Sequence, residues 1–421
     1  MKTEKGSTIK DIRQHNRFLV LKHIAIRPMI SRMDLSEITG LSKMAVGNMV
    51  TDLMEMGLVE EIKGAQESSV YGRPPGVLRI SSSSPLICGM LITRGSFRVV
   101  LADLSGSIVD QEKILYEKIQ QKSDISKLLL NAYHLLLERQ RRHVIAVGIS
   151  SIGPVDTNRG IILNPPFFYG ISNVPIVEEI QAATGLPTFL INDANSGALA
   201  EKLYGLGQTE HNFSYLHIMN GIGIGCVLDG KMYGGDSGQS GELGHTTINC
   251  MGPKCECGNI GCLELYANVE NMRARIAVMQ KALRIDFPLQ PGQKVDWITI
   301  LNQANLGNQL AVLALEEFCT YVSYAMTNVI RLLDLSLVIV GYDSDVPGSI
   351  IEQLLQSKLQ QRVPSSDYRQ ISVKRSTFDG DTPLIGAIAC CAEKIFDLSL
   401  QIFPEECQNV KFRVQAVCKQ P

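Results

Sequence analysis

Four loops rich in glycine or carboxylates, each beside a short apolar stretch, constrain this chain more than any other feature. They span residues 148–154, 191–195, 220–225 and 241–245. The apolar stretches, at 87–92, 97–104, 145–150, 189–192, 216–219 and 335–340, are too short for buried helices and alternate with helical patterns. The first two read as a hairpin closed by residues 93–96. Such an alternation predicts an α/β fold with buried sheets, whose ligands sit at the ends of the strands. Asp193, at the end of one such strand, can accept a proton or a hydrogen bond from a hydroxyl. The glycines 221 and 223 alone are a weak phosphate signal.

The chain has 421 residues, enough for two to four lobes, and its 45% hydrophobic and 19% charged residues are those of an ordinary globular protein. No run of about 18 apolar residues is present, so no membrane insertion is expected. The polar N-terminus lacks the apolar segment of a secretory signal, which predicts a cytoplasmic location. Eleven cysteines agree with a reducing compartment, because three of them crowd into Cys255, Cys257 and Cys262. With His245 ten residues upstream they make a His/Cys3 set of soft ligands, which describes a closed, tetrahedral, structural zinc site. Cys250 competes with His245 for the fourth position.

A formal net charge of −2 speaks against nucleic acid, but the distribution qualifies it. Residues 1–80 hold 12 Lys/Arg against 9 Asp/Glu, and the remainder 28 against 33. In that first part, residues 8–26 carry Ile12, Phe18, Leu21, Ile24 and Ala25 near a helical period. Ser31 and Asp34 form a capping-box pair ahead of a second helix with Leu35 and Ile38 facing inward. Gly40 makes a turn, Ser42 caps a third helix over about 43–56, and Gly57 ends it. Val46, Met49, Val50 and Leu53 are its buried stripe. Two short strands around a polar tip follow, as in a wing. This is a winged helix-turn-helix, whose second unit helix enters the major groove of a double-stranded DNA operator. A helical protein-interaction module is the other use of such a pattern. On the DNA reading, Ser42, Lys43, Met44, Gly47, Asn48 and Thr51 face the groove. Asn48 suits adenine, Lys43 suits phosphate, and Arg73 on the wing suits a minor groove.

The stretch GELGHTTINCMGPKCECGNIGCLELYA and the motif INDAN resemble the signatures of the ROK family of repressors, open reading frames and kinases. ROK repressors also carry an N-terminal winged helix-turn-helix, so the resemblance covers nearly the whole chain. It implies a winged helix-turn-helix at 1–80, a linker at 81–86 and a two-lobed, actin-like ATPase (sugar kinase-like) domain at 87–421. Lobe one would comprise about 87–192 with a C-terminal helix near 382–398, and lobe two about 193–381. By motif position it implies that Asn192, Asp193, Glu242, His245 and Glu264 bind sugar. It also implies that His245, Cys255, Cys257 and Cys262 hold zinc, which excludes Cys250.

Departures from the kinase pattern decide between enzyme and regulator. Leu91 stands where family kinases place the acid of their first phosphate loop, and Thr93 and Arg94 stand where they place paired glycines. Leucine cannot hold magnesium, and side chains crowd phosphate. Asn220 and Tyr342 break the second phosphate loop and the adenosine-side glycine pair. Phosphoryl transfer depends on cradled phosphates and metal, so no catalysis is expected despite Asp193. Arg94 reads as a surface charge rather than a phosphate handle. The expectation is a repressor of carbohydrate genes, a homodimer or tetramer, with a sugar or sugar phosphate as effector. The alternatives are an active sugar kinase and control by a transporter protein partner. The apolar stretch at 311–334 is a dimer face or, by default, core.

Overall fold

The computed structural model describes residues 9–62, 76–116, 118–166, 168–219, 221–236, 238–289, 293–344, 347–363 and 370–400. The chain opens with helix α1 (Ile9–Ile26), the short strand β1 (Ile30–Ser31), and helices α2 (Arg32–Thr39) and α3 (Lys43–Glu55). The α2 capping box is reciprocal. Ser31 Oγ accepts from the Asp34 amide at 3.2 Å, and Asp34 Oδ2 accepts from the Ser31 amide at 2.9 Å. Gly40, at φ 69°, turns the chain where a side chain would be strained. Ser42 Oγ then caps α3 by accepting from the Ala45 amide. The α3 stripe of Val46, Met49, Val50 and Leu53 is buried against α1. Arg13 and Arg17 of α1 clamp Asp52 at 3.0 and 2.6 Å. Two expected core positions point outward instead, Ile12 at 51% and Ile38 at 40% exposure. Each lies at the margin of its apolar stripe, where one step of 100° reaches solvent.

Strands β2 (Val59–Ile62) and β3 (Val77–Ile80) pair antiparallel, with β1 on the other side of β3. The wing tip, and Arg73 with it, lies outside the described residues. Residues 81–85 form a tight turn. Ser84 is fully buried, and its carbonyl accepts from Arg142 Nε at 2.8 Å.

The remaining elements are β4 (Leu86–Ile92), β5 (Ser96–Ala102), β6 (Ile108–Leu115), α4 (Ser123–Arg139), β7 (Val144–Ser151), β8 (Val155–Asp156), β9 (Ile161–Ile162), α5 (Ile176–Thr184) and β10 (Thr188–Asn192), and then α6 (Asp193–Tyr204), β11 (Phe213–Ile218), β12 (Ile222–Leu228) and β13 (Lys231–Met232). Helices α7 (Val269–Leu283), α8 (Trp297–Asn305) and α9 (Gln309–Leu333) follow, then β14 (Leu337–Tyr342), α10 (Ile350–Arg362), β15 (Ser372–Arg375) and α11 (Thr382–Phe396). They build two five-stranded sheets, ordered β10-β7-β4-β5-β6 and β13-β12-β11-β14-β15. Strands β4, β11 and β14 are buried along their whole length, as continuous apolar runs require. Edge strand β6 alternates half-buried and exposed residues. Between the sheets lie α11, packed on β4 and β7, and α6, packed on β11 and β12. The long helix α9 buries Leu315, Phe318, Val322, Met326 and Ile330 against α7, α8 and α10. Its apolar stripe is core.

Candidate functional site

The loops at the strand ends converge on a cleft that is open to solvent. It is lined by Asn192, Asp193, Glu242, His245 and Glu264, and also by Arg94 and His217. Backbone amides hold three of these side chains, since Asp193 Oδ1 accepts from the Ala194 amide at 2.8 Å and Asn192 and Glu264 do likewise. Asn192 Oδ1 caps α6 by accepting from the Ala194 amide at 3.0 Å. Its amide nitrogen and Glu242 Oε1 both crowd Gly153, where a Cβ would sit 2.7 and 3.0 Å from them. Glycine at 153 is what lets these two side chains approach. Glu264 Oε1 accepts from the Ile222 amide at 2.9 Å, and a Cβ at Gly244 would lie 2.5 Å from the same oxygen.

Asp193 Oδ2 lies 3.6 Å from Nε2 of His217, a residue of β11 that is 5% exposed. His217 Nδ1 is buried without a hydrogen-bond partner among the described residues. Burial pushes the Glu242 carboxyl above its usual range, opposed by His245 and reinforced by Asp193 and Glu264. A cleft of this kind accepts hydrogen bonds from vicinal hydroxyls more readily than it binds an anion.

Arg94 corrects the sequence expectation of a surface charge. The side chain is half-buried and lines the cleft, with Nε donating to the Pro166 carbonyl at 3.0 Å. Burial lowers its pKa, while Glu264 and Asp193 act to raise it. The sequence offers no signal for this placement, nor for that of His217, which is hidden in an apolar strand.

Beside the cleft, His245, Cys255, Cys257 and Cys262 bring their ligand atoms within 4.8 Å of one another. Cys255 Sγ is 3.8 Å from His245 Nδ1, and Cys257 Sγ is 3.7 Å from Cys262 Sγ. Tetrahedral bonds of about 2.3 Å to sulfur give edges of about 3.8 Å, so the cluster can hold a metal ion. Exposed Cys250 stands outside it. Asn259, which sequence reasoning passed over, anchors the loop with its amide nitrogen 3.0 Å from the His245 carbonyl and 3.4 Å from Cys262 Sγ. A hydrogen bond from the Asn259 backbone holds the Cys257 thiol below its usual range. Burial and the neighbouring thiols push Cys262 up to about 12, in the absence of any metal charge.

Of the positions that depart from the kinase pattern, Leu91 is buried in β4, and Thr93 Oγ1 closes the hairpin by donating to the Ser96 carbonyl at 2.8 Å. Asn220 lies outside the described residues. Tyr342 is 1% exposed, with Arg375 over its ring at 4.8 Å, Trp297 against its edge at 6.2 Å, and its hydroxyl donating to Glu352 at 2.8 Å. Trp297, Arg375 and Glu352 thus pack around Tyr342 at the end of β14.

On α3, Ser42, Lys43, Met44, Asn48 and Thr51 are exposed, Met44 at 77%. Gly47 is half-buried, and its carbonyl accepts from Thr51 Oγ1 at 3.0 Å. The hydroxyls of Ser42 and Thr51 thus already have partners in α3 itself, which leaves Lys43, Met44 and Asn48 as its outward chemistry.

The model of the ROK family matches residues 88–394. The xylose repressor of Bacillus subtilis (strain 168) is 29% identical over 392 residues, which cover 92% of this chain and 97% of that protein. Among solved structures, a ROK family transcriptional regulator described as a homolog of the E. coli MLC protein superposes with a TM-score of 0.73 at 28% identity. The match covers 92% of this chain and 98% of that one. A ROK family glucokinase from Streptomyces griseus, solved with glucose and AMPPNP, shares the fold with a TM-score of 0.65 at 24% identity, over 73% of this chain and 99% of its own. The two-sheet body is therefore the actin-like ATPase fold, joined to an N-terminal winged helix-turn-helix, and the chain belongs to the ROK family.

Proposed function

We propose that this protein is a sugar-responsive DNA-binding repressor of carbohydrate genes that has kept a sugar pocket and lost phosphoryl transfer. The observation that carries the reading is a contrast between two sets of residues. Asn192, Asp193, Glu242 and Glu264 line the cleft, whereas Tyr342, packed by Trp297 and Arg375, is buried at the end of β14 and Leu91 is buried in β4. The first set suits hydroxyls, since each carboxylate can accept two. The second, with buried Leu91 in place of an acid, has no cradle for phosphates or magnesium. The names of relatives such as the xylose repressor and Mlc of Escherichia coli agree with this reading.

In the proposed mechanism, Asn192 and Asp193 hold one part of the sugar, and Glu242, His245 and Glu264 another. His245, Cys255, Cys257 and Cys262 would hold a structural zinc ion, which would supply a fixed positive charge that anchors the loop. Lys43, Met44 and Asn48 meet the major groove, with Ser42, Gly47 and Thr51 at its edge, and Arg73 reaches from the wing. Two copies in a homodimer or tetramer would present two such helices to a two-fold operator. Sugar favours the form in which those helices no longer match the half-sites, through its differential affinity for that form.

A thermal-shift screen against D-xylose, D-glucose, N-acetyl-D-glucosamine and their phosphates, followed by DNA binding with and without the sugar that scores, tests this. Stabilisation by one sugar together with weakened DNA binding is the expected result. ATP-dependent turnover of that sugar would overturn the loss of catalysis. Silence across the panel would instead favour control by a transporter protein partner.

A further inference from the structure

The DNA-binding region is docked on the body rather than only tethered by residues 81–85. Helix α1 lies against α11, and Leu21 and Ile24 share one continuous apolar core with Ile388 and Ile395. Polar contacts mark the same seam. Gln208 Nε2 donates to the Ile26 carbonyl at 3.5 Å. Half-buried Lys22 of α1 stands in the field of Lys202, Glu393 and Asp397. Lys202 and Glu393 pair with each other across the far ends of α6 and α11.

The start of α6 lines the cleft, and the start of α11 packs on its first turn. Asn192 caps α6, and Asp193 is its first residue. Ser196 Oγ, one turn in, donates to the Pro383 carbonyl at the start of α11 at 2.7 Å. Contacts of 196 with 383 and of 202 with 393 make the two helices parallel, both running from the cleft towards α1. They touch backbone to backbone, since a Cβ at Gly386 would lie 1.8 Å from the Ser196 carbonyl oxygen. Nine residues of helix separate Asp193 from Lys202, about 14 Å at 1.5 Å per residue. Helices packed this closely cannot deform continuously and move together.

We propose that the parallel pair α6–α11 couples the cleft to the DNA-binding region, with Lys22 as the positioning residue that keys α1 to its far end. This rests on the sugar-effector reading of the cleft. A sugar gripping Asn192 and Asp193 shifts the start of α6, the pair carries the shift to Lys202 and Glu393, and α1 follows, turning α3 through the Arg13/Arg17–Asp52 clamp. Burial and the like charge of Lys202 disfavour the Lys22 ammonium, and Glu393 and Asp397 oppose them, so its charge is tolerated only where α1 keeps these acids near. Sliding α1 along the pair leaves a half-buried charge without compensation, so the seam favours discrete positions over a continuum. Coupling of this kind needs different contacts in the two states, and the charged seam supplies them.

The test uses the full-length protein, a DNA fragment selected by it from a random-sequence library, and the sugar that scores in the panel above. Saturating sugar is expected to weaken wild-type DNA binding at least about tenfold, and to weaken that of Lys22→Met and Lys202→Met less than about twofold. Sugar affinity and sugar-free DNA affinity stay within about threefold of wild type in both variants, and Lys22→Arg restores the response. A merely structural role would lower DNA affinity with and without sugar alike and leave their ratio unchanged. Should Lys22→Met not fold, Lys202→Met on the body side decides between coupling and its absence. A full wild-type response in the variants overturns the coupling role. A wild type that binds no sugar of the panel, or binds one with no change in DNA affinity, overturns the effector reading and this inference with it; that arm is measured before any variant is made.

Discussion

Glu242 opens the same 3-10 turn that His245 closes, and the His245 amide donates to the Glu242 carbonyl at 3.1 Å. A pocket carboxylate and the histidine of the His/Cys cluster are thus parts of one turn. On the second strand of the loop, Cys262 and Glu264 stand two residues apart in the same relation. The metal cluster and the pocket share their backbone, so whatever holds the four ligands also aims two of the pocket acids.

Loss of the metal should therefore be felt in the pocket. Cys262→Ser, at a fully buried ligand, is expected to lower bound zinc well below one per chain and weaken sugar binding about 10- to 100-fold, the range seen when support around a metal site is removed. Metal analysis and calorimetry on one preparation check it. A chelated or substituted protein with unchanged sugar affinity would separate the cluster from the pocket.

Glu264 bridges the Ile222 amide and the cleft. In Glu264→Gln the amide keeps the shape, but one hydrogen bond to a charged acceptor becomes a neutral one, at a cost of about 1 kcal/mol, or roughly fivefold in sugar affinity. DNA affinity without sugar should not move. A repressor that still binds its DNA but releases it only at higher sugar concentration is the expected phenotype in a titration.

The strands beside the pocket are legible in the sequence because buried sheet strands must be short, continuous apolar runs, and the caps at Ser31 and Ser42 because orphan amides need an acceptor. The clustering of His245, Cys255, Cys257 and Cys262 is legible from soft side chains at close spacing. What is not legible is direction. Arg94 sits on a hairpin turn, where most arginines reach solvent, and only the fold shows it turned onto Pro166 and the pocket acids. His217 is one polar residue in the apolar strand Phe213–Ile218, and alternation along a strand buried on both faces does not say which side chain meets a cavity. Ile12 and Ile38 fail as core for a related reason, since the width of an apolar stripe depends on the surface it meets. Tyr342 reads as a lesion in sequence, but that Trp297 and Arg375 pack on it depends on elements 33 to 45 residues away.

That packing has a pH signature. Burial pushes the Glu352 carboxyl above its ordinary value of 4.5, although Tyr342 donates to it. The native state then binds the proton more tightly than the unfolded chain. The stabilisation is complete below pH 4.5 and is lost as pH rises through the raised value. Glu352→Gln mimics the protonated form and keeps an acceptor for the Tyr342 hydroxyl, so it should remove this slope and raise Tm at neutral pH. Parallel Tm-against-pH curves for the two proteins would contradict the assignment.

On α3 the outward residues divide by chemistry. Lys43 lies at the helix start and carries an ammonium that suits phosphate, whereas exposed Asn48 carries an amide of the kind that pairs with N6 and N7 on the major-groove edge of adenine. The hydroxyls of Ser42 and Thr51 have partners within α3, so their removal acts on the helix before it acts on DNA. Asn48→Ala is therefore expected to cost about 1–3 kcal/mol on the selected fragment and to relax preference at one base position, whereas Lys43→Ala weakens all sequences alike and reduces the slope of log affinity against log salt by about one. Binding measured across a salt series on the selected fragment and on scrambled DNA distinguishes the two. If both variants lose affinity in the same proportion on both DNAs, α3 meets the backbone only, and sequence is read elsewhere on the wing.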